Sequence, residues 1–289
     1  MIGREDSLDN KLIENNLYSG IIPKSAGMLF EILNNEYNNL TNEIYTVKVS
    51  FIELYNEKVN DLIAGPSHSN INIMNEYKIR YNNEQGYFFE NVILIKCLNS
   101  EEIIEILFKG ISNRNVSSNY INPNSSRSHS ILTIYILNHK FNKISSLTFV
   151  DLAGSERISY SINSNSNVVN VNHNKFNNKK YIDKNKDDIM IRETGSINKS
   201  LLVLGKVISI LSERGNYSNI DTIKLHVPIR ESKLTMLLSN SFSGNSKTII
   251  IGCISSAGCY VDETINTLNF LSKANNIQNK PYIGAVRIY

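Results

Sequence analysis

What this sequence withholds narrows it first. Its three cysteines, Cys97, Cys253 and Cys259, form neither a metal-ligand spacing nor a disulfide framework, which points to a reduced, intracellular protein. No apolar run approaches the roughly 18 residues needed to cross a bilayer. The opening Met1-Ile-Gly-Arg-Glu-Asp6 also lacks the basic-then-apolar form of a secretory signal, so no membrane partner is expected. Sequons such as Asn115-Val-Ser117 then read as chance matches. A net charge of +3 is too mild to argue for a nucleic-acid partner. There is no internal repeat and no heptad pattern late in the chain, so the sequence specifies no oligomeric state.

The most telling absence is chemical. A phosphate-binding loop of the form Gly-x-x-x-x-Gly-Lys-[Ser/Thr] cradles phosphates in its amides and reaches the terminal ones with its lysine. No stretch here fits that form. Gly244-Asn-Ser-Lys-Thr248 has Ser246 where the second glycine must stand, and Gly205-Lys206 is followed by Val207, which offers no hydroxyl to a metal. Gly244 reads better as the turn before a buried strand.

What is present is ordinary in bulk. The 289 residues, 41% hydrophobic and 20% charged, suffice for one or two domains with a sizeable core. Apolar spacing after Pro23 predicts a helix over Ser25–Tyr37 through Met28, Leu29, Ile32 and Leu33. Ile44–Leu54 reads as a strand. Ser100 opens a helix with Glu101 and Glu102 in its first turn and Gly110 just past its end. Ile131–Leu137 and Leu147–Val150 read as short strands, and Asn198–Ser212 as a long helix. A helix over Ser232–Ser239, a buried strand over Thr248–Ile254 and a last helix over Asp262–Ile277 complete the pattern. Strands alternating with helices predict an α/β layered fold. Residues 161–188, crowded with Asn, Ser and Lys, lack apolar periodicity and read as a disordered loop insert.

Two strings carry the chemistry. Asn122-Pro-Asn-Ser-Ser-Arg-Ser-His129 offers hydroxyls and a planar guanidinium; Val150-Asp-Leu-Ala-Gly-Ser-Glu-Arg157 follows an apolar strand. Asp151, at that strand's end, suits a hydrated Mg²⁺, and the N–H of Gly154 can approach a terminal phosphate unobstructed. Alone, the second string is as well explained by a strand-end turn with a capping Asp, and the first by a solvated loop. Their order, with a strand between them, is hard to explain that way.

Together the strings resemble the two nucleotide-sensing switches of the kinesin superfamily, and four more stretches agree. These are Ser50-Phe-Ile-Glu-Leu-Tyr-Asn-Glu-Lys-Val-Asn-Asp-Leu62, Ile197-Asn-Lys-Ser-Leu-Leu-Val-Leu-Gly205, His226-Val-Pro-Ile-Arg-Glu-Ser-Lys-Leu-Thr235, and Glu263-Thr-Ile-Asn-Thr-Leu-Asn-Phe-Leu271 with Ala274. The resemblance implies a motor domain over residues 1–280, a central sheet flanked by helices on both faces, interrupted by the insert 161–188. The start of a neck linker would occupy 281–289. It implies ATP and Mg²⁺ as cofactors, microtubules (tubulin) as partner, and a cytoplasmic, cytoskeletal location.

It also implies roles. Ser126 would coordinate Mg²⁺ and Asp151 hold it through water, while Ser125 places the attacking water. Gly154 would sense the γ-phosphate. Arg127 and Glu156 would form the ion pair that closes the switches and relays the water's proton. Asn122 would brace the first switch, and Asn198 would lie on the relay helix. Arg230 and Lys233 would touch the acidic surface of tubulin. The lysines of the insert, facing the same track, are as readily a solvated spacer as an electrostatic tether.

In the family, Met-x-Gly follows the phosphate loop and Gly-Ile-Ile-Pro comes later. Met1-Ile-Gly3 and Gly20-Ile-Ile-Pro23 stand in those places, so the expectation is a chain cut just after its phosphate loop and unable to hydrolyse ATP by itself. Two other readings stand beside the motor. One is a non-hydrolysing microtubule-binding module, if Met1 is the true start. The other is a GTPase-like switch protein, which leaves the remaining stretches unexplained.

Overall fold

The computed structural model describes residues 1, 20–37, 44–65, 77–82, 86–121, 128–154, 199–213, 226–243 and 245–278. The insert 161–188 and the segment 281–289 lie outside them. The chain packs as two compact units, the first drawn from Met1–Arg80 and Phe89–Ala153, the second from Tyr81–Phe88 and Gly154–Tyr282.

In the first unit, α1 (Ile21–Tyr37) begins four residues ahead of the expected start. Pro23 sits in its first turn, where a missing N–H leaves no helical bond unmade. Its buried stripe is Ile22, Ala26 and Leu33, with Leu29 packed against the core. Met28 and Ile32, expected on that stripe, are exposed.

The sheet is built around β1 (Tyr45–Tyr55), which turns into β2 (Lys58–Asp61). Asn56 and Glu57 both hold left-handed φ, 51° and 57°, the backbone a two-residue type I′ hairpin demands. After β3 (Ile79–Asn82) and β4 (Gly86–Phe89), which form a separate two-stranded sheet, β5 (Ile95–Cys97) returns to pair with β1. Along its other edge β1 pairs with β6 (His129–Asn138), and β6 with β7 (Lys143–Asp151). All four pairings of the larger sheet are antiparallel. The parallel-sheet rule that ligands gather at carboxyl ends of strands therefore does not locate the site. Register does.

Val47, Val49 and Phe51 of β1, Leu132 and Ile134 of β6 and Phe149 of β7 form one apolar face, covered by α1 and by α2 (Ser100–Ile121). Helix α2 is capped by Asn99, whose Oδ1 accepts from the Glu102 amide at 2.9 Å while Glu102 reaches back to the Leu98 amide at 2.8 Å. It does not stop at Gly110 as expected. A Cβ at Gly110 would stand 2.2 Å from the Phe51 ring, so this glycine serves helix–strand contact and the helix runs on for eleven residues more.

In the second unit the helical residues 199–213, here α3, bury Val203, Leu204, Val207 and Ile208. The single helix expected over Ser232–Ser239 is three short pieces: a 3-10 turn Ile229–Glu231, α4 (Lys233–Leu237) and α5 (Ser239–Ser243). Ser232 caps α4 by accepting from the Thr235 amide at 3.2 Å. The last helix, α6 (Val261–Asn275), matches its expectation to within two residues at each end. The buried strand expected over Thr248–Ile254 is not there. The segment pairs with no strand among the described residues, and Ile249 and Ile251 are 87% and 68% exposed. A run of β-branched residues becomes a strand only where a ladder partner takes up its amides and carbonyls.

Candidate functional site

The hairpin of β6 and β7 brings the described ends of the two chemical strings together. The first string ends in Ser128 and His129, where β6 begins; the second starts at Asp151, where β7 ends. Antiparallel register sets Ser130 opposite Asp151, so the described end of the first string and the described start of the second lie at one end of the sheet.

Beneath that end lies a charged cluster. Arg114 donates through Nε to Glu53 Oε1 at 3.3 Å, and through Nη2 to the Ser128 carbonyl and hydroxyl at 3.1 and 2.9 Å. The Ser128 hydroxyl in turn donates to Glu53 at 2.6 Å, and Asn60 holds the other carboxylate oxygen at 3.2 Å. Arg114 and Glu53 are only 13% and 10% exposed. A buried pair of this kind is tolerable because each charge meets its opposite and further hydrogen bonds. Arg114 Nη1 also stands 3.8 Å from Asp151 Oδ2. The Asp151 side chain is 60% exposed, so it is steadied from behind and open in front.

Helix geometry explains how Arg114 arrives there. It lies one turn beyond Gly110, on the same face, as Glu53 lies two residues beyond Phe51 on the same face of β1. The close approach at Gly110 brings the guanidinium within reach of the carboxylate.

His129 fixes the second string from the other side. Its Nδ1 accepts from the Ala153 amide at 2.9 Å, which requires that nitrogen to carry no proton. Burial, and then the nearby Arg114 charge, push its pKa down to about 4. The ring is therefore neutral at physiological pH and pins the backbone just before Gly154.

Of the residues singled out in the sequence, Asp151 and Gly154 are described, Asp151 as the last residue of β7 and Gly154 three residues on. Asn122, Ser125, Ser126, Arg127, Glu156 and Asn198 lie outside the described residues. Glu53, Asn60, Arg114, Ser128 and His129 were not anticipated. Four of them stand inside the quoted strings, where their polarity on strand ends was a usable signal. Arg114 had none while Gly110 was taken for a helix end.

Among the described residues no three His, Cys, Asp or Glu side chains gather into a metal cage. Mg²⁺ rarely needs one, since it is commonly held by one or two carboxylates with substrate phosphates and water. An exposed Asp151 carboxylate with one guanidinium behind it fits that part.

Arg230 and Lys233 lie apart from this cluster along the chain, in the 3-10 turn and at the first residue of α4. Arg230 is exposed and donates through Nε to the Tyr87 hydroxyl at 3.1 Å.

Comparison with known proteins agrees with the strings. The family model described as kinesin motor domain matches residues 7–277. Among relatives, the kinesin-like protein CIN8 of Eremothecium gossypii is 32% identical over 99% of this chain and 31% of its own length. Kinesin-like protein KIN-5A of Oryza sativa subsp. japonica is 36% identical over 92% of this chain and 23% of its own. KIF11-A of Xenopus laevis is 34% identical over 98% and 24%. This chain thus spans less than a third of the length of each of these relatives. Among solved structures, one of a fast kinesin superposes with a TM-score of 0.71 at 29% identity, covering 98% of this chain and 68% of that one. A KIF14 dimer with AMP-PNP in complex with a microtubule superposes with a TM-score of 0.69 at 31% identity, covering 93% and 68%.

Proposed function

Since the chain belongs to the kinesin motor-domain family and has its α/β fold, we propose that it forms the switch and track-binding portion of an ATP-driven microtubule motor. The observation that supports this best is that Ser128, at the end of the first string, and Asp151, at the start of the second, both meet Arg114 at one end of the sheet, since nucleotide sensing needs two segments that respond to one phosphate. AMP-PNP and a microtubule are what the KIF14 neighbour carries. Binding to cytoskeletal microtubules in the cytoplasm is part of the same proposal for this chain.

In this reading Ser126 and Asp151 would hold Mg²⁺, Asp151 through water, and the chemistry supplied there would be neutralisation of charge on the terminal phosphates. Ser125 places the attacking water. The Gly154 N–H, its backbone steadied by the His129–Ala153 bond, faces the γ-phosphate. Arg127 and Glu156 pair only when the loops close, so that pair acts late, in the transition state rather than in binding. Asn122 would brace the first loop, and Asn198 would lie on the relay helix that responds to the second. Positioning and charge stabilisation supply the rate; no covalent intermediate is needed.

The 289 residues contain no Gly-Lys-[Ser/Thr] phosphate loop. Phosphate release by this chain with microtubules and Mg·ATP should stay at background, and joining a Gly-rich loop strand ahead of Met1 should raise it. Microtubule-stimulated turnover by the unextended chain would show that some other group here does the loop's work. No turnover by the extended chain would remove the motor reading. The non-hydrolysing alternative would then stand, because Arg230 and Lys233 do not depend on the nucleotide.

A further inference from the structure

The end of the β3–β4 hairpin is a stretch for which no role has been given. Its last strand carries Tyr87, whose hydroxyl accepts the Nε hydrogen of Arg230 across 143 residues of sequence. Tyr87 is itself seated. Its ring lies 4.9 Å from that of Tyr81, tilted by 58°, in the offset geometry that aromatic pairs favour. The residue before it, Gly86, holds a left-handed φ of 75°, and a Cβ there would stand 2.5 Å from the Asn240 side chain. The left-handed φ favours glycine, and its lack of a Cβ lets the Asn240 side chain of α5 lie against the strand beside Tyr87.

We propose that Tyr87 is a positioning residue for track binding, holding the Arg230 guanidinium by its Nε edge so that its two Nη groups present a ready-made fork to a carboxylate of the track. The inference rests on the track-binding reading given above. A guanidinium has five N–H donors in a rigid plane, and engaging Nε leaves the Nη1/Nη2 pair, which can meet a carboxylate end-on with two parallel hydrogen bonds. An exposed arginine normally loses its rotamer freedom only on binding. One already held by a seated tyrosine has less to lose, which strengthens affinity without any new contact. Lysine does not reproduce this arrangement, because holding one N–H of an ammonium orients no planar pair of donors toward a carboxylate.

The test is a double-mutant cycle on the 289-residue chain, read as microtubule co-sedimentation at low ionic strength. Tyr87→Phe removes one oxygen and keeps the ring against Tyr81, so thermal unfolding midpoints should match the parent. The expected result is affinity about three- to tenfold weaker for Tyr87→Phe, the range set by fixing one mobile side chain. In an Arg230→Ala background, and in Arg230→Lys, the same substitution should change nothing further. Equal loss in the presence and absence of Arg230 would make Tyr87 a contact or fold residue and overturn the proposal. So would unchanged affinity of Tyr87→Phe beside a parent chain that binds. A parent chain that does not sediment at all would sink the track-binding reading and this inference with it, an outcome plainly distinct from the other two.

Discussion

His129 shows how much one buried ring contributes when its proton is kept off. In the unfolded chain an imidazole takes its proton near pH 6.5, whereas in the fold His129 does so only at about 4. Between those values the unfolded chain binds the extra proton, so stability is fully present above about pH 6.5 and falls as pH drops. By pH 4 the loss should approach 3 kcal/mol, taking about 1.4 kcal/mol per unit. Urea unfolding midpoints across this window should show it, and His129→Asn, whose carbonyl still accepts the Ala153 amide, should flatten the wild-type slope. Parallel pH profiles for the two chains would mean that the ring is solvated in the fold. The neighbouring Arg114 matters in another way, because truncating one partner of its buried pair strands the charge of the other.

Among the elements, α2 is where a local signal pointed one way and packing another. Lys109 followed by Gly110 has the marks of a helix end, yet the helix continues because the strand beneath it needs the missing side chain. Gly110→Ala would improve helix propensity by up to about 1 kcal/mol in an exposed site. Here it forces the buried Phe51 ring aside, an overpacking cost of about 1–3 kcal/mol. The substitution should therefore lower the unfolding midpoint, and Gly110→Ala with Phe51→Leu should recover part of the loss. A stabilised Gly110→Ala chain would contradict the close approach that carries Arg114 to Glu53.

The three long strands β1, β6 and β7 and most helices were legible because their apolar spacing agrees with what they bury, whereas β2 to β5, each three or four residues long, left too little pattern to be anticipated. Thr248–Ile254 was not legible, since its composition speaks only of a wish to pair and a partner strand is a fact about the rest of the sheet. In the site, Asp151 and Gly154 were legible from their string, but the cluster beneath them was not. Glu53, Arg114 and Ser128 are 61 and 14 residues apart and meet only through antiparallel register and one glycine contact. Pairwise charge satisfaction across such distances leaves no periodic trace in a sequence.

For the whole molecule, the central claim is a track-binding motor portion whose affinity does not wait on a phosphate loop. Arg230 and Lys233 are cations on a short turn and helix start, and attraction of such groups to an acidic surface weakens as salt shortens the Debye length from about 30 Å at 0.01 M to about 10 Å at 0.1 M. The most direct measurement is co-sedimentation of the 289-residue chain with microtubules across that salt range, with and without Mg·ATP. The account predicts saturable binding that is strongest at low salt, is weakened and less salt-sensitive when Arg230 and Lys233 are both replaced by Ala, and is indifferent to nucleotide. A folded chain that stays in the supernatant at 0.01 M salt, or a double mutant that pellets like its parent, would contradict it.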